Sequence, residues 1–431
     1  MSEPVPSVKG WCPGALRPMR SGDGLVVRLQ LTAGVLSAPL ARRIAALSER
    51  YGNGQIDLTQ RANLQLRGVS DDTWPELIGE LAALGLIETD AEVEAVKNIV
   101  ASPLAGPGWA TTVDCHASVA ALGAAIGTDP VFRRLPGKFG FVIDDGGYWP
   151  LDDVAADVWF VGRDGRFDIE VPQAGGFVRL GTVAPDAIGA AAAAVAQAFL
   201  DLRGDGEGGA RRMRDLAARI GAAAIADHAG FSAAGHSERP ARQARRSIGA
   251  GGPLGAGAYL GLGVVFGRLT AVSLDWLADL AKTAASGELR LTPWRSILVP
   301  GVDLEISERL LAGAVAAGFI VSPEDPRLVV VACPGAPECE SAAGPVREDA
   351  LALAEVAAKM VGRGVRLHVS ACPKGCARTQ PAAATLIRRH AGYDLVVNGR
   401  ADDDPVSTGL QPQDIEGALR RLKAIEGQSI G

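Results

Sequence analysis

The chain is 431 residues long, with a formal net charge of −6, 48% hydrophobic residues and six cysteines. That length accommodates two to four domains with ample core, and the mixed, weakly acidic charge gives no global field to recruit nucleic acid or an anionic membrane. Six cysteines are too sparse for a disulfide framework, the opening MSEPVPSVKGWCPG lacks the charged-then-apolar layout of a signal peptide, and the most apolar stretches (190–200 and 254–266) are too short to span a bilayer, so a reducing cytoplasmic setting is expected.

Along the chain, GLVVRL at 24–29 predicts a strand. It leads into an amphipathic helix with Leu40, Ile44 and Leu47 on one face, followed by GQIDLTQR at 54–61. Within LTQRANLQLRG (58–68), alternation predicts Arg61, Asn63, Gln65 and Arg67 on one face of an extended segment and Leu64 and Leu66 on the other. A solvated strand face is the bland account of such a row. LPGKFG at 135–140 adds Lys138 at a strand entry. An alanine-rich helix is expected over 186–202, and the glycines at 204–209 formally satisfy G-x-G-x-x-G. They follow a helix rather than a strand, and Asp205 and Glu207 would repel a pyrophosphate, so the stretch reads as a surface loop and no Rossmann site is found.

A Gly-, Ala-, Arg- and Pro-rich linker is expected within 235–257. Beyond it the first pattern recurs. GLGVVF (261–266) leads into a helix capped by Ser273 with Leu277, Leu280 and Ala284 inward, then GELRLTPWR (287–295). Both copies read strand, helix, strand, threonine and a nearby arginine, with a one-residue shift after the threonine; this predicts an internal duplication.

The strongest chemical signal lies near the C-terminus: Cys333 and Cys339 in ACPGAPEC, then Cys372 and Cys376 in ACPKGC. Each pair follows a β-branched run, 328–332 and 367–371, so both loops should cap strands and bring four thiolates to one sheet edge. Proline follows the leading cysteine of each pair and glycine lies inside each loop, which suits turns whose N–H groups face an anionic sulfur-ligated centre. A cubane 4Fe-4S cluster is the natural occupant. Cys₄ zinc is the rival, although five residues between Cys333 and Cys339 exceed the usual two to four, and buried free thiols are the third account. Cys12 and Cys115 fall outside the pattern as buried thiols. His368, on the strand feeding Cys372, is placed to tune hydrogen bonding at a cluster.

Taken together, the cysteine pairs, the duplicated half, LTQRANLQLRG and LPGKFG resemble the sirohaem-dependent sulfite and nitrite reductase superfamily. GWCPGALRPM (10–19), RLTPWR (290–295) and YDLVVNGRA (393–401) are similar to its precorrin-3B synthase branch, and the resemblance runs from Gly10 to the C-terminus. It implies an α/β (α+β) fold of duplicated reductase-like architecture. Ferredoxin-like half-domains are expected at 10–72 and 258–305, with larger α/β domains at 73–230 and 306–431 and a linker at 231–257; only the second larger domain would keep cluster cysteines.

The resemblance further implies a 4Fe-4S cluster on Cys333, Cys339, Cys372 and Cys376, the last at the position that bridges cluster to sirohaem iron in the reductases. It implies a ring of side chains around tetrapyrrole carboxylates, comprising Arg61, Asn63, Arg67 and Lys138, joined by Arg17, Arg295 and Arg400. The implied reaction is O₂-dependent hydroxylation and lactone formation on precorrin-3A in aerobic cobalamin (vitamin B12) biosynthesis. That is a monooxygenase reaction, with NADH as electron source through a separate reductase and a mononuclear non-haem iron. A cluster passes single electrons and does not insert oxygen, hence the second iron. No H-x-D or H-x-E pair occurs among the five histidines, and His116, beside Asp114, is the candidate ligand. Two other classes compete: a sirohaem-dependent sulfite or nitrite reductase, and a non-catalytic iron–sulfur carrier or zinc-stabilised tetrapyrrole binder. A simple carrier needs neither the cationic strand face nor a duplicated scaffold.

Overall fold

A computed structural model describes residues 13–105, 111–147, 149–204, 206, 208–233, 235, 237, 239, 247–252, 258–361 and 364–426. Gly10, Cys12, His236 and much of the expected linker lie outside them. Among the described residues, twenty strands form four five-stranded sheets. The first runs β1 (Met19–Ser21), β2 (Gly24–Arg28), β5 (Leu64–Val69), β4 (Gln55–Leu58), β13 (Arg268–Thr270). The second repeats that order as β11 (Gly249–Gly251), β12 (Tyr259–Gly263), β15 (Ser296–Pro300), β14 (Glu288–Leu291), β3 (Val35–Ser37). Each half therefore lends one edge strand to the other, and the two sheets share a single apolar core. In that core the helix Ala38–Tyr51 lies against the helix Ala271–Ala284.

The predicted helices form for the predicted reasons, with Ile44, Leu47 and Leu277 fully or almost fully buried. The second helix is capped differently from expectation. Thr270 is the N-cap, accepting from Ser273 N at 3.1 Å, and the Ser273 hydroxyl reciprocates toward Thr270 N at 2.9 Å. The threonine turns also remove the supposed one-residue shift. Thr59 N donates to Asn63 O at 2.9 Å, and Thr292 N to Ser296 O at 3.1 Å. In each turn the threonine hydroxyl accepts two backbone N–H groups, and the fourth residue, Ala62 or Arg295, has positive φ. Arg61 thus corresponds to Trp294, and Arg295 to Ala62. The turn also breaks the expected extended face, because β5 begins only at Leu64.

The other two sheets are likewise copies. One runs β6 (Ile99–Ala101), β7 (Phe141–Asp144), β8 (Val158–Arg163), β9 (Arg166–Gln173), β10 (Gly176–Val183). The other runs β16 (Val330–Ala332), β17 (Leu367–Ser370), β18 (Ala382–Arg389), β19 (Gly392–Gly399), β20 (Ser407–Leu410). In both, the first two pairings are parallel and the last two antiparallel. Parallel neighbours end at the same sheet edge, so loops leaving β16 and β17 are brought together. The glycines at 204–209 follow the helix Ile188–Leu202, as the sequence implied. No helix among the described residues is long and apolar enough to cross a membrane.

Candidate cluster site and the recess beside it

Cys333 directly follows β16, and Cys372 lies two residues beyond the end of β17. Cys333 and Cys372 are buried, Cys339 is half-buried and Cys376 is exposed. Ala371 N donates to Cys333 Sγ at 3.2 Å, which ties the first loop to the start of the second. Positive φ at Gly335 and Gly375 turns each loop, as the glycine positions implied. Burial pushes the Cys333 thiol up to about 11, and Cys372 and Cys339 push the same way. The Cys372 and Cys376 thiols are also raised, first by the low-polarity protein around them and less by neighbouring thiols. Three thiols costly to ionise alone, each within electrostatic reach of Cys339, suit a cationic centre that replaces their protons.

Among the described residues, no three His, Cys, Asp or Glu side chains converge as a single metal ion requires. A tetrahedral zinc site needs its sulfurs gathered on one ion, whereas a four-iron cluster spreads its ligands around a larger body. Four soft thiol donors on two loops at one sheet edge are a ligand set that a 4Fe-4S cluster takes.

Beside the cysteines, both half-domains reach the residue after Cys376. Gln60 Nε2 donates to Ala377 O at 3.4 Å, and Arg295 Nη2 donates to the same oxygen at 3.3 Å. Burial lowers the Arg295 guanidinium, whose Nη1 has no partner. His368 is fully buried next to this loop, with neither ring nitrogen bonded. Burial first, then Arg378 and Arg295, lower its imidazole to about 4.

On the other side, Arg61 donates to Asn98 Oδ1, and its Nη2 donates to Lys138 O at 3.4 Å. The Lys138 ammonium is near enough to draw the Cys376 thiol down, against burial. Asn98 and Asn63 line a recess with Arg17, Arg28, Lys97 and Glu94. Arg28 Nε and Gln30 Oε1 are buried there without partners. Burial raises the Glu94 carboxyl, which accepts from Ala15 N at 2.8 Å and Leu16 N at 3.0 Å and so holds the segment bearing Arg17 as one wall.

Of the residues singled out from the sequence, Arg17 and Asn63 line this recess, Arg61 reaches its wall through Asn98, Lys138 meets Arg61 through its carbonyl, and Arg295 approaches the last cysteine loop from the second half. Arg67 is placed differently. It is 4% exposed and bound to Asp23, Asp57, Ser21 and the Glu338 carbonyl, so its guanidinium is engaged within the protein. Arg400 also stands apart, half-exposed and paired with Asp402 and Asp403.

His116 is the second residue of the helix Cys115–Thr128. Its Nε2 lies 3.0 Å from Arg290 Nη1, and burial and then Arg290 lower its imidazole. Asp114 is turned onto the backbone N–H groups of His116 and Ala117 as the helix cap. The expected iron ligand therefore has a guanidinium at Nε2, and the neighbouring Glu288 carboxylate is bound to that guanidinium at 2.8 Å. Cys115 is a buried thiol, as expected. Sequence reasoning missed Gln60, Asn98, Arg28 and Lys97. Gln60 lay inside a recognised motif; the others become significant only when strands distant in sequence meet.

Residues 17–84 and 253–317 each match the nitrite/sulfite reductase ferredoxin-like half domain. A precorrin-3B synthase from a Sinorhizobium species is 31% identical, over 98% of this chain and 89% of its own length. The ferredoxin–nitrite reductase of Synechococcus elongatus is 28% identical, over 94% of this chain and 86% of its own. Among solved structures, the NirA protein of Mycobacterium tuberculosis has the same fold, with a TM-score of 0.73 at 22% identity, covering 92% of this chain and 80% of that one.

Proposed function

The chain belongs to the precorrin-3B synthase branch of the nitrite/sulfite reductase superfamily, and from that premise we propose that it is an oxidoreductase that hydroxylates the tetrapyrrole precorrin-3A with O₂ and closes a lactone on it. One observation carries this reading: the four-thiol edge adjoins a recess lined by Arg17, Arg28, Lys97, Asn63 and Asn98 and linked to Cys376 through Arg61 and Lys138. A reduced tetrapyrrole carries a rim of carboxylates, and each charge-assisted hydrogen bond to one of these cations contributes about 1.5–3 kcal/mol where the bound ring excludes water.

Cys333, Cys339, Cys372 and Cys376 would hold a 4Fe-4S cluster, which supplies one-electron transfer when bound. The chain's own residues act by binding and orientation. Arg17 and Arg28 neutralise carboxylates, Asn63 fixes their direction, Asn98 orients Arg61 through its amide oxygen, and Lys138 places its ammonium beside Cys376. Glu94 holds the segment carrying Arg17 in place. Gly204 to Gly209 follow a helix, so the nicotinamide fingerprint lacks its strand–turn–helix context. A separate reductase is accordingly proposed to deliver electrons.

A second reading, sirohaem-dependent nitrite reduction, is favoured by the similarity to the Synechococcus enzyme. Anaerobic absorption with iron and labile-sulfide analysis, followed by addition of precorrin-3A and O₂, separates the two. A cluster band without sirohaem, with O₂-dependent conversion, is expected. Sirohaem peaks with nitrite turnover would replace the first reading by the second. Zinc without sulfide, or full activity in Cys376→Ser lacking a cluster, would remove the redox site.

A further inference from the structure

The loop that carries Cys339 is gripped from outside its own domain. Glu338 O, one residue before that cysteine, accepts from Gly22 N at 3.2 Å, from Arg67 Nη2 at 3.0 Å and from the Ser21 hydroxyl. Arg67 is itself locked: Nε and Nη2 reach the two oxygens of Asp23 at 2.9 and 2.7 Å, and Nη1 reaches Asp57 at 3.1 Å. The Glu338 carboxylate lies 3.6 Å from Arg268 Nη1 of the second half. At the hairpin tip the approach is as close as backbone allows. A Cβ on Gly22 would sit 2.1 Å from Pro337 O and 3.2 Å from Cys339 N.

These contacts join the β1–β2 hairpin to the backbone of a cysteine loop that has little regular structure of its own. We propose that Gly22 and Arg67 are positioning residues that hold the Cys339 loop in its ligating shape, so that cluster retention is coupled to docking of the first half-domain on the cysteine-bearing domain. The proposal rests on the cluster reading above. Coupling of this kind is reciprocal: a group that binds only the docked loop also stabilises docking. It also accounts for a buried guanidinium turned away from the recess, and for a glycine where the backbone φ does not demand one.

The test uses the full chain after cluster reconstitution, as wild type, Gly22→Ala, Arg67→Met and Arg67→Lys. The decay of cluster absorption in excess iron chelator is followed anaerobically, with iron and labile sulfide counted at the start. Melting of each cluster-free protein is measured alongside. Arg67→Met is expected to lose the cluster about tenfold faster than wild type, the ratio expected for loss of one hydrogen bond from a charged donor, with Arg67→Lys between, and Gly22→Ala, whose methyl pushes on Pro337 O, is also expected to lose it faster than wild type. Without a cluster the Cys339 loop can yield to the added methyl, so cluster-free Gly22→Ala should melt close to cluster-free wild type. Equal decay in Gly22→Ala and wild type would overturn the proposal. So would accelerated decay matched by an equal drop in cluster-free stability, which marks a general structural role. A wild type that takes up no labile sulfide would instead remove the cluster reading, and this proposal with it.

Discussion

The two larger α/β domains present the same sheet edge with different chemistry. After β6, Ser102 N donates to Ile143 O at 3.0 Å, and Asp145 N donates to Ser102 Oγ at 3.0 Å. After β16, Cys333 N donates to Val369 O at 3.3 Å, and Ala371 N donates to Cys333 Sγ at 3.2 Å. Ser102 therefore stands where Cys333 stands, and Val142 of β7 where His368 of β17 stands. Beyond β7 there is no cysteine loop. Asp144 and Asp145 fold onto the N–H groups of Gly146, Gly147 and Leu151, and Trp149 packs edge-on against Tyr259 and Trp294. The junctions between half-domains diverge in the same way. On the cysteine side the strand pair β4–β13 joins Asp57 to Arg268, whereas at the counterpart β3–β14 pair Arg290 faces Val35 and turns to His116 and Ala105 O. The fold needs a hydrogen-bond acceptor at the end of the strand. Cys333 meets that need with a sulfur, and under the proposed function the same sulfur is a cluster ligand.

Cys333→Ser puts the first domain's residue into the second and gives the largest expected effect. Iron and labile sulfide should disappear, while far-UV circular dichroism stays that of cluster-free wild type, because a hydroxyl can accept from Ala371 N as Ser102 does from Asp145 N. Retained stoichiometric sulfide would break the comparison.

Next is the ionic junction. Burial opposes charge on Asp57, yet Arg268 and Arg67 outweigh it and hold its carboxyl below the usual range. Asp57→Ala leaves two buried guanidinium groups short of a partner and should cost about 3–5 kcal/mol in chemical denaturation of the cluster-free protein. Glu288→Ala at the counterpart junction, where the carboxylate is 40% exposed, should cost under about 1 kcal/mol. Equal costs would mean that the two junctions are not energetically distinct.

His368→Val tests the third difference. The native imidazole is lowered to about 4 against an ordinary 6.5, so between those values the unfolded chain binds a proton that the folded chain refuses. Stability is then complete above about pH 6.5 and falls as pH drops toward 4, by up to about 3 kcal/mol. Urea unfolding of cluster-free protein across that window should lose this acid limb in His368→Val, and an unchanged limb would assign it to other groups. The smallest effect is expected for Arg400→Ala, whose exposed ion pairs contribute within about 1 kcal/mol. In a tetrapyrrole-binding titration it should stay near wild type, while Arg61→Ala binds more weakly with cluster content intact. The reverse order would relocate the recess.

Much of this was legible because it is local. Alternation and helical periodicity marked both copies of strand–helix–strand, and cysteine spacing after β-branched runs marked the loops at one sheet edge. The misreadings arose where local pattern meets a turn or a partner. Ala62 takes a positive φ that alternation does not reveal, so Arg61 leaves the strand face. Arg67 keeps strand geometry but meets Asp23, Asp57 and the Glu338 carbonyl, which its own segment does not announce.

By itself the sequence determined the duplicated elements, the four thiols and the basic motifs, since each depends on residue type and spacing within a few turns of chain. Tertiary structure alone decided which cations face the recess, the exchange of β3 and β13 between halves, and the grip of the first half-domain on the Cys339 loop. Those outcomes depend on charges, carbonyls and strand edges brought together across hundreds of residues, where burial and partner geometry, rather than residue type, fix what a side chain can do.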